Sequence, residues 1–269
     1  MSKFGTFSEY PKDSLASAEK ALLTAWRSLE RYHDDLVLVG GLAVHYLTKR
    51  TVADLPGAVT MDVDFGISLA ASGDQYGTIQ SDLSGLGFKP EGNRLVRKHG
   101  GLHPYLDFLT EDPPSLTGAR MVDDVVASVI PGVNRALSCR REVSVKGPDL
   151  YGAEQDCKVA VADIGPLLVL KLNAFGGPTG RRLPKDAYDM LLAVTGFVDG
   201  PATAVAAFQA DARAGNTGYE SALKSLRSNF THPGQDGPMR AAEFHPGNVG
   251  NRDRIREDVA TMGRLLLGI

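Results

Sequence analysis

Two cysteines in 269 residues leave no material for a disulfide framework. Cys139 and Cys157 also lie too far apart for metal-ligand spacing, so both read as idle thiols of a reducing cytoplasm. No stretch reaches the roughly 18 apolar residues of a membrane-spanning helix, and the opening MSKFGTFSEYPKDS has no apolar core of a secretion signal. A soluble, cytoplasmic protein without a membrane partner is expected. Positive charge is also short: 29 Lys and Arg stand against 32 Asp and Glu, a net charge of −3. A polyanion must therefore meet a local basic patch, because the field of the whole chain does not attract it. The six histidines show no HExxH or paired zinc-type spacing, G-x-S-x-G is absent, and there is no internal repeat or low-complexity tract. No zinc site is assigned, and hydrolase and Rossmann readings fall away.

What is present is an apolar fraction of 43%, enough core for one large domain or two modest ones. Leu15, Leu22, Leu23, Trp26, Leu29 and Tyr32 fall at helical spacing behind capping-type residues, which predicts an amphipathic helix from Asp13 to Tyr32. LVLV, Leu36 to Val39, reads as a buried strand that ends at Gly40-Gly41 and leads into a helix over LAVHYLTKR. After a loop at Leu55-Pro56-Gly57 come the strand VTMDVDFGI, a helix over Gln75 to Leu86, and strands in RLVRKHG and HPYLDFLT joined by a Gly100-Gly101 turn. EDPPSLTG looks like a linker and is followed by mixed short segments, with REVSVKG and CKVAVAD as strands. Asp163 and Pro166 then open a helix through LLVLKLNAF to Gly176-Gly177, a second runs from Pro184 through KDAYDMLLAV, and two or three more follow. The expectation is an α/β domain over 1–160, whose core lies at about 30–150, followed by a mainly helical domain over 161–269.

Asp62 and Asp64 stand one residue apart inside an apolar run, so on a strand they share a face. Two carboxylates held that close repel unless a cation lies between them or one takes up a proton. On these residues alone, a surface strand with two solvated acids remains an alternative. Asp107, in PYLDFLT, is a third acid in an apolar strand-like run, where burial is costly without a charged partner. Gly40-Gly41 at the strand–helix turn would leave backbone N–H groups open to an anion such as phosphate. A phosphate turn, two acids on one strand and a third on a neighbour are the parts of two-metal phosphoryl transfer, and hard cations such as magnesium prefer carboxylate oxygens.

This arrangement resembles the signature of the DNA polymerase β-type nucleotidyltransferase superfamily. LLVLKLNAF and RRLPKDAYDM are similar to the later motifs of its AbiEii/AbiGii abortive-infection toxins, so the likeness spans Leu36 to Val194. Two features depart from the pattern. Twenty residues separate Gly41 from Asp62, a long interval, and Gly41 replaces the serine common in the toxin subgroup. The resemblance implies a polymerase β-type core of mixed sheet flanked by helices, with a helical part behind it. It also implies that Asp62 and Asp64 bind two magnesium ions, or manganese in their place, and that Asp107, a third metal-site acid, helps a hydroxyl lose its proton. Lys171 would then reach the nucleoside triphosphate, and Asp186 and Asp189, at i and i+3, would position it, with Asp189 ahead of Asp186. Gly40, Gly41 and Arg182 complete the expected nucleotide contacts. Lys171 also reads as a lysine snorkelling from an apolar helix, and Lys185 equally as a solvated helix-start residue or as a ligand.

The implied reaction moves a nucleoside monophosphate to a hydroxyl and releases pyrophosphate. The toxin relatives modify tRNA 3′ ends, so tRNA is the first acceptor by resemblance, and a cognate antitoxin protein is an implied partner. A protein hydroxyl, as in AMPylation, and a small-molecule hydroxyl, as in antibiotic modification, are alternatives. A catalytically idle nucleotide- or partner-binding module is another. Basic residues gather at Arg94, Arg97, Lys98, His99 and His103, at Arg135, Arg140 and Arg141, and at Arg181, Arg182 and Lys185. Each group reads either as an RNA-backbone contact or as a solvated face.

Overall fold

LVLV is apolar at four consecutive positions because the strand it forms, β1 (Leu36–Val39), is buried on both faces. A computed structural model of the protein describes all residues except 1–3, 49–53, 69–78, 99–100, 112–117, 123 and 179. The chain is mixed α/β and divides into two compact units. One gathers Lys12–Ala43 and Thr60–Asp163, and the other Met1–Pro11, Val44–Val59 and Ile164–Ile269.

The first unit holds a nine-stranded mixed sheet. Beside β1 lie β2 (Asp62–Ile67), antiparallel to it, and β9 (Glu154–Ala162), parallel. The sheet runs β3 (Lys89–Glu91), β4 (Arg94–Val96), β5 (Tyr105–Thr110), β2, β1, β9, β8 (Arg140–Pro148). β7 (Val125–Val129) pairs with the later residues of β5 and carries β6 (Gly118–Val122). Trp26 of α1 (Ser14–Ser28) stacks on His33, lies against Phe65 of β2, and donates its indole N–H to the Lys158 carbonyl. Such fully buried apolar side chains each contribute roughly 1.5–3 kcal/mol. The helix expected to Tyr32 stops at Ser28 and tightens into a 3-10 helix over Glu30–Asp35. The Leu29 N–H, shared between the Ala25 and Trp26 carbonyls, begins that tightening. Arg140 then collects the carbonyls of His33, Asp34 and Leu36.

α2 (Gly40–Leu47) opens at Gly40, earlier than the leucine expected to start it. α3 (Ile79–Gly85) covers the second part of the helix expected at Gln75 to Leu86, whose first residues lie outside the described ones. The same holds for most of EDPPSLTG, the end of LAVHYLTKR, and His99 with Gly100. Segments read as mixed resolve into β6, β7 and α4 (Val133–Ser138).

The second unit is helical, centred on α5 (Ile164–Gly176), which packs on α6 (Pro184–Thr195), α7 (Pro201–Ala210) and α8 (Tyr219–Asn229). α9 (Asp236–Phe244) and α10 (Val249–Leu267) complete it. The two or three helices expected behind α6 are four, because Gly200-Pro201 starts one and Pro246 ends another. Among the described residues no helix is long and apolar enough to cross a membrane.

α10 crosses the end of α8 so closely that a Cβ on Gly263 would lie 2.0 Å from the Phe230 carbonyl oxygen. Backbone cannot yield as a side chain can, so Gly263→Ala should lower stability by about 1–3 kcal/mol or more. Urea denaturation of the variant beside the wild type checks this.

Candidate functional site

β2 reads DVDFGI, with half-buried acids alternating with buried Val63 and Phe65 before the strand goes fully under at Gly66-Ile67. Side chains two apart share a face, which puts Asp62 and Asp64 together. β5 runs parallel beside it with Asp64 opposite Asp107 and Phe65 opposite Phe108, so the third acid is the direct cross-strand neighbour of the second. The Asp62 and Asp107 side chains keep 13% and 22% of their surface exposed, so the acids sit in a partly open recess. On the other side of β2, Asp64 is the register partner of Val39, the residue before the glycine turn. Gly40 has φ +69, and a Cβ there would lie 1.9 Å from Asp64 Oδ2. Glycine is therefore required twice, by the backbone conformation and by the carboxylate lying against it. Gly41 is the next residue of α2.

Arg94, on β4, enters this recess. Its Nε donates to Asp107 Oδ1 at 2.6 Å and its Nη2 to Asp107 Oδ2 at 2.5 Å. Nη2 also lies 3.1 Å from Asp62 Oδ1, and the guanidinium carbon stands 4.3 Å from the Tyr105 ring centre. Burial works against the Arg94 charge, but the bonds to Asp107 and the fields of Asp62, Asp107 and Asp64 outweigh it and hold the guanidinium above its ordinary value. Burial first, and then the fields of Asp64 and Asp62, raise Asp107 to about 6 against the downward pull of Arg94. One guanidinium thus undercompensates three acids.

A second charged cluster lies in the helical unit. Lys171, in the middle of α5, donates to Asp189 Oδ2 at 2.6 Å and to Asp186 Oδ1 at 3.3 Å. Lys185 reaches the same Asp189 oxygen at 2.6 Å, and Arg181 Nη2 lies 3.8 Å from Asp186 Oδ2. Asp189 is 1% exposed and its Oδ1 accepts no hydrogen bond among the described residues. The Lys171 ammonium is buried, not snorkelling, and Asp189 lies deeper than Asp186 and makes the shorter bond. Arg182 stands outside this cluster, with φ +49 and an exposed pair to Asp236 at 2.6 Å.

Asp62, Asp64, Asp107 and Gly40 are therefore gathered in the sheet unit, and Lys171, Asp186 and Asp189 in the helical unit. Two residues were undervalued from sequence. Lys185, read equally as a solvated residue or a ligand, is buried in the cluster, and its i,i+4 spacing to Asp189 was the available signal. Arg94 read as part of a basic patch; only the β4–β5 register, which pairs Leu95 with Leu106, brings it to Asp107. Other patch residues are committed within the fold: Arg140 to carbonyls, Arg141 to Asp163 at 2.8 Å, and Arg97 over the Tyr151 ring.

Among the described residues no three His, Cys, Asp or Glu side chains converge as a ready metal cage; the Arg94 guanidinium spans Asp62 and Asp107 instead. The donor chemistry still fits a divalent cation, because hard carboxylate oxygens share one face, stay partly open and carry more negative charge than Arg94 offsets. Neither a model of a known protein family nor a curated protein sequence matches the chain.

Removing the Asp189 carboxylate leaves two buried ammonium groups facing one another, so Asp189→Ala should cost about 3–5 kcal/mol of stability. Asp62→Asn, which relieves repulsion, should be close to neutral; paired chemical denaturation curves distinguish the two. Asp107 binds its proton more tightly folded, at about 6, than at its ordinary 3.8. Its ionisation therefore costs stability above about 6, and that cost is relieved as pH falls through 6 toward 3.8. Melting temperatures in chelator should show this gain, superimposed on other titrations, as a wild-type increment that Asp107→Asn lacks.

Proposed function

We propose that the chain is a metal-dependent nucleotidyltransferase of the polymerase β type, moving a nucleoside monophosphate from a nucleoside triphosphate to an acceptor hydroxyl. The observation that carries this reading is the β2–β5 register, with Asp64 opposite Asp107 and Asp62 on the same face. By its resemblance to AbiEii/AbiGii toxins, the first acceptor is a tRNA 3′ end, the role that of a toxin, and an antitoxin protein its partner.

In this reading Asp62 and Asp64, with Asp107 beside them, hold two magnesium ions, or manganese in their place. Bound metal supplies neutralisation of charge on the attacking and leaving oxygens. The acceptor oxygen bonds to the α-phosphorus, the bond from that phosphorus to the bridging oxygen breaks, and pyrophosphate leaves. Asp107 takes the hydroxyl proton. The N–H groups of the Gly40-Gly41 turn would meet phosphate oxygens beside the Asp64 carboxylate that lies against Gly40.

A second reading has one observation behind it: Arg94 already closes on Asp107 and Asp62, as it would in an idle, purely structural pair. The two readings part in one assay. Purified protein is incubated with magnesium, each α-labelled nucleoside triphosphate and total tRNA. Label should enter tRNA, and Asp64→Ala should reduce it by at least the roughly 100-fold that losing an outer-shell partner of a metal can cost. Label on the protein would make the acceptor a protein hydroxyl. No transfer at all, or transfer untouched by Asp64→Ala, would sink the transferase reading.

A further inference from the structure

Arg94 grips Asp107 with a planar fork that meets both carboxylate oxygens, while its Nη2 also reaches Asp62. A divalent ion cannot share the facing lone pairs of those oxygens with a guanidinium, and two like charges at contact distance repel. We propose that Arg94 is the displaceable counter-cation of the carboxylate site: it holds Asp62 and Asp107 in the cation-free protein, must leave them when a divalent ion binds, and thereby sets the metal affinity. This rests on the metal-site reading above.

Several features are those of a latch. The Tyr105 ring gives the guanidinium a resting face at 4.3 Å. The Arg94 side chain is 25% exposed, so it lies at the mouth of the recess and can withdraw into water. It starts a three-residue strand whose hairpin partner, β3, is exposed throughout and forms one end of the sheet. The charged groups acting on Asp107 are Arg94, Asp64 and Asp62, so a departing Arg94 leaves three acids facing each other. An incoming cation, or a proton on one of the acids, relieves that state. A guanidinium spanning two of the acids also accounts for their failure to converge as a cage.

The test is calorimetric titration of the chelator-treated full chain with manganese chloride, beside Arg94→Met, Arg94→Lys and Asp64→Asn. Arg94→Met should bind manganese about ten- to a hundredfold more tightly than wild type, the range of losing a charge-assisted hydrogen bond. Arg94→Lys, which keeps a charge but not the fork, should fall between them and carries the test if the methionine variant does not fold. The rise in melting temperature on adding manganese should be larger in Arg94→Met, since metal then replaces a missing cation. Equal or weaker binding by both Arg94 variants, with binding lost in Asp64→Asn, overturns the latch and leaves the metal site standing. Manganese binding by none of the proteins overturns both.

Discussion

Three carboxylates on one face of a β-sheet repel one another, and the sheet unit is built to hold them there. Asp64 and Asp107, direct neighbours on parallel strands, lie about 4.8 Å apart, where at an effective dielectric near 20 two like charges cost about 3 kcal/mol. Slipping β2 by one residue would relieve the repulsion, but it would also turn Val63 and Phe65, both fully buried, to the face of the acids. Phe65 is opposite Phe108 and their rings lie 5.9 Å apart, so apolar packing fixes the register that electrostatics opposes. Gly40 then lets Asp64 lie against the backbone of the turn, and Arg94 draws Asp107 and Asp62 to itself. Burial, joined by the fields of Asp64 and Asp62, leaves Asp107 holding its proton up to about 6 despite Arg94.

The helical unit handles buried charge in the opposite way. There, two lysines share one oxygen of Asp189, and Asp186 adds a second acid, so cations and anions are matched inside an apolar bundle. Such a cluster is a poor source of stability, since similarly shaped apolar residues would cost less to bury.

Much of this was legible because the signals were local. The strand–glycine–helix step at Leu36 to Leu47 follows from four apolar residues ended by two glycines. The shared face of Asp62 and Asp64 follows from a period of two, and the i,i+3 placement of Asp186 and Asp189 from a period of 3.6. What was not legible depends on which strands lie side by side. No local pattern says that β5 joins β2 in parallel with Asp107 at the height of Asp64, or that β4 brings Arg94 to both. Arg94 therefore looked like one more residue of a basic patch. For Lys185 the solvated alternative fails for a different reason: the first turn of a helix is usually solvated, but α6 is buried from Pro184 onward. Helix ends were equally hard to place where tertiary contacts fix them, as Arg140 does beyond α1.

The proposed transferase requires a divalent cation on the face shared by Asp62, Asp64 and Asp107. Crystals soaked in manganese and measured at the manganese absorption edge address it directly. An anomalous peak within coordination distance of the Asp62 and Asp64 carboxylates, with Arg94 withdrawn from Asp107, is the expected result. Density that keeps the Arg94–Asp107 fork closed and shows no anomalous peak on that face would contradict it.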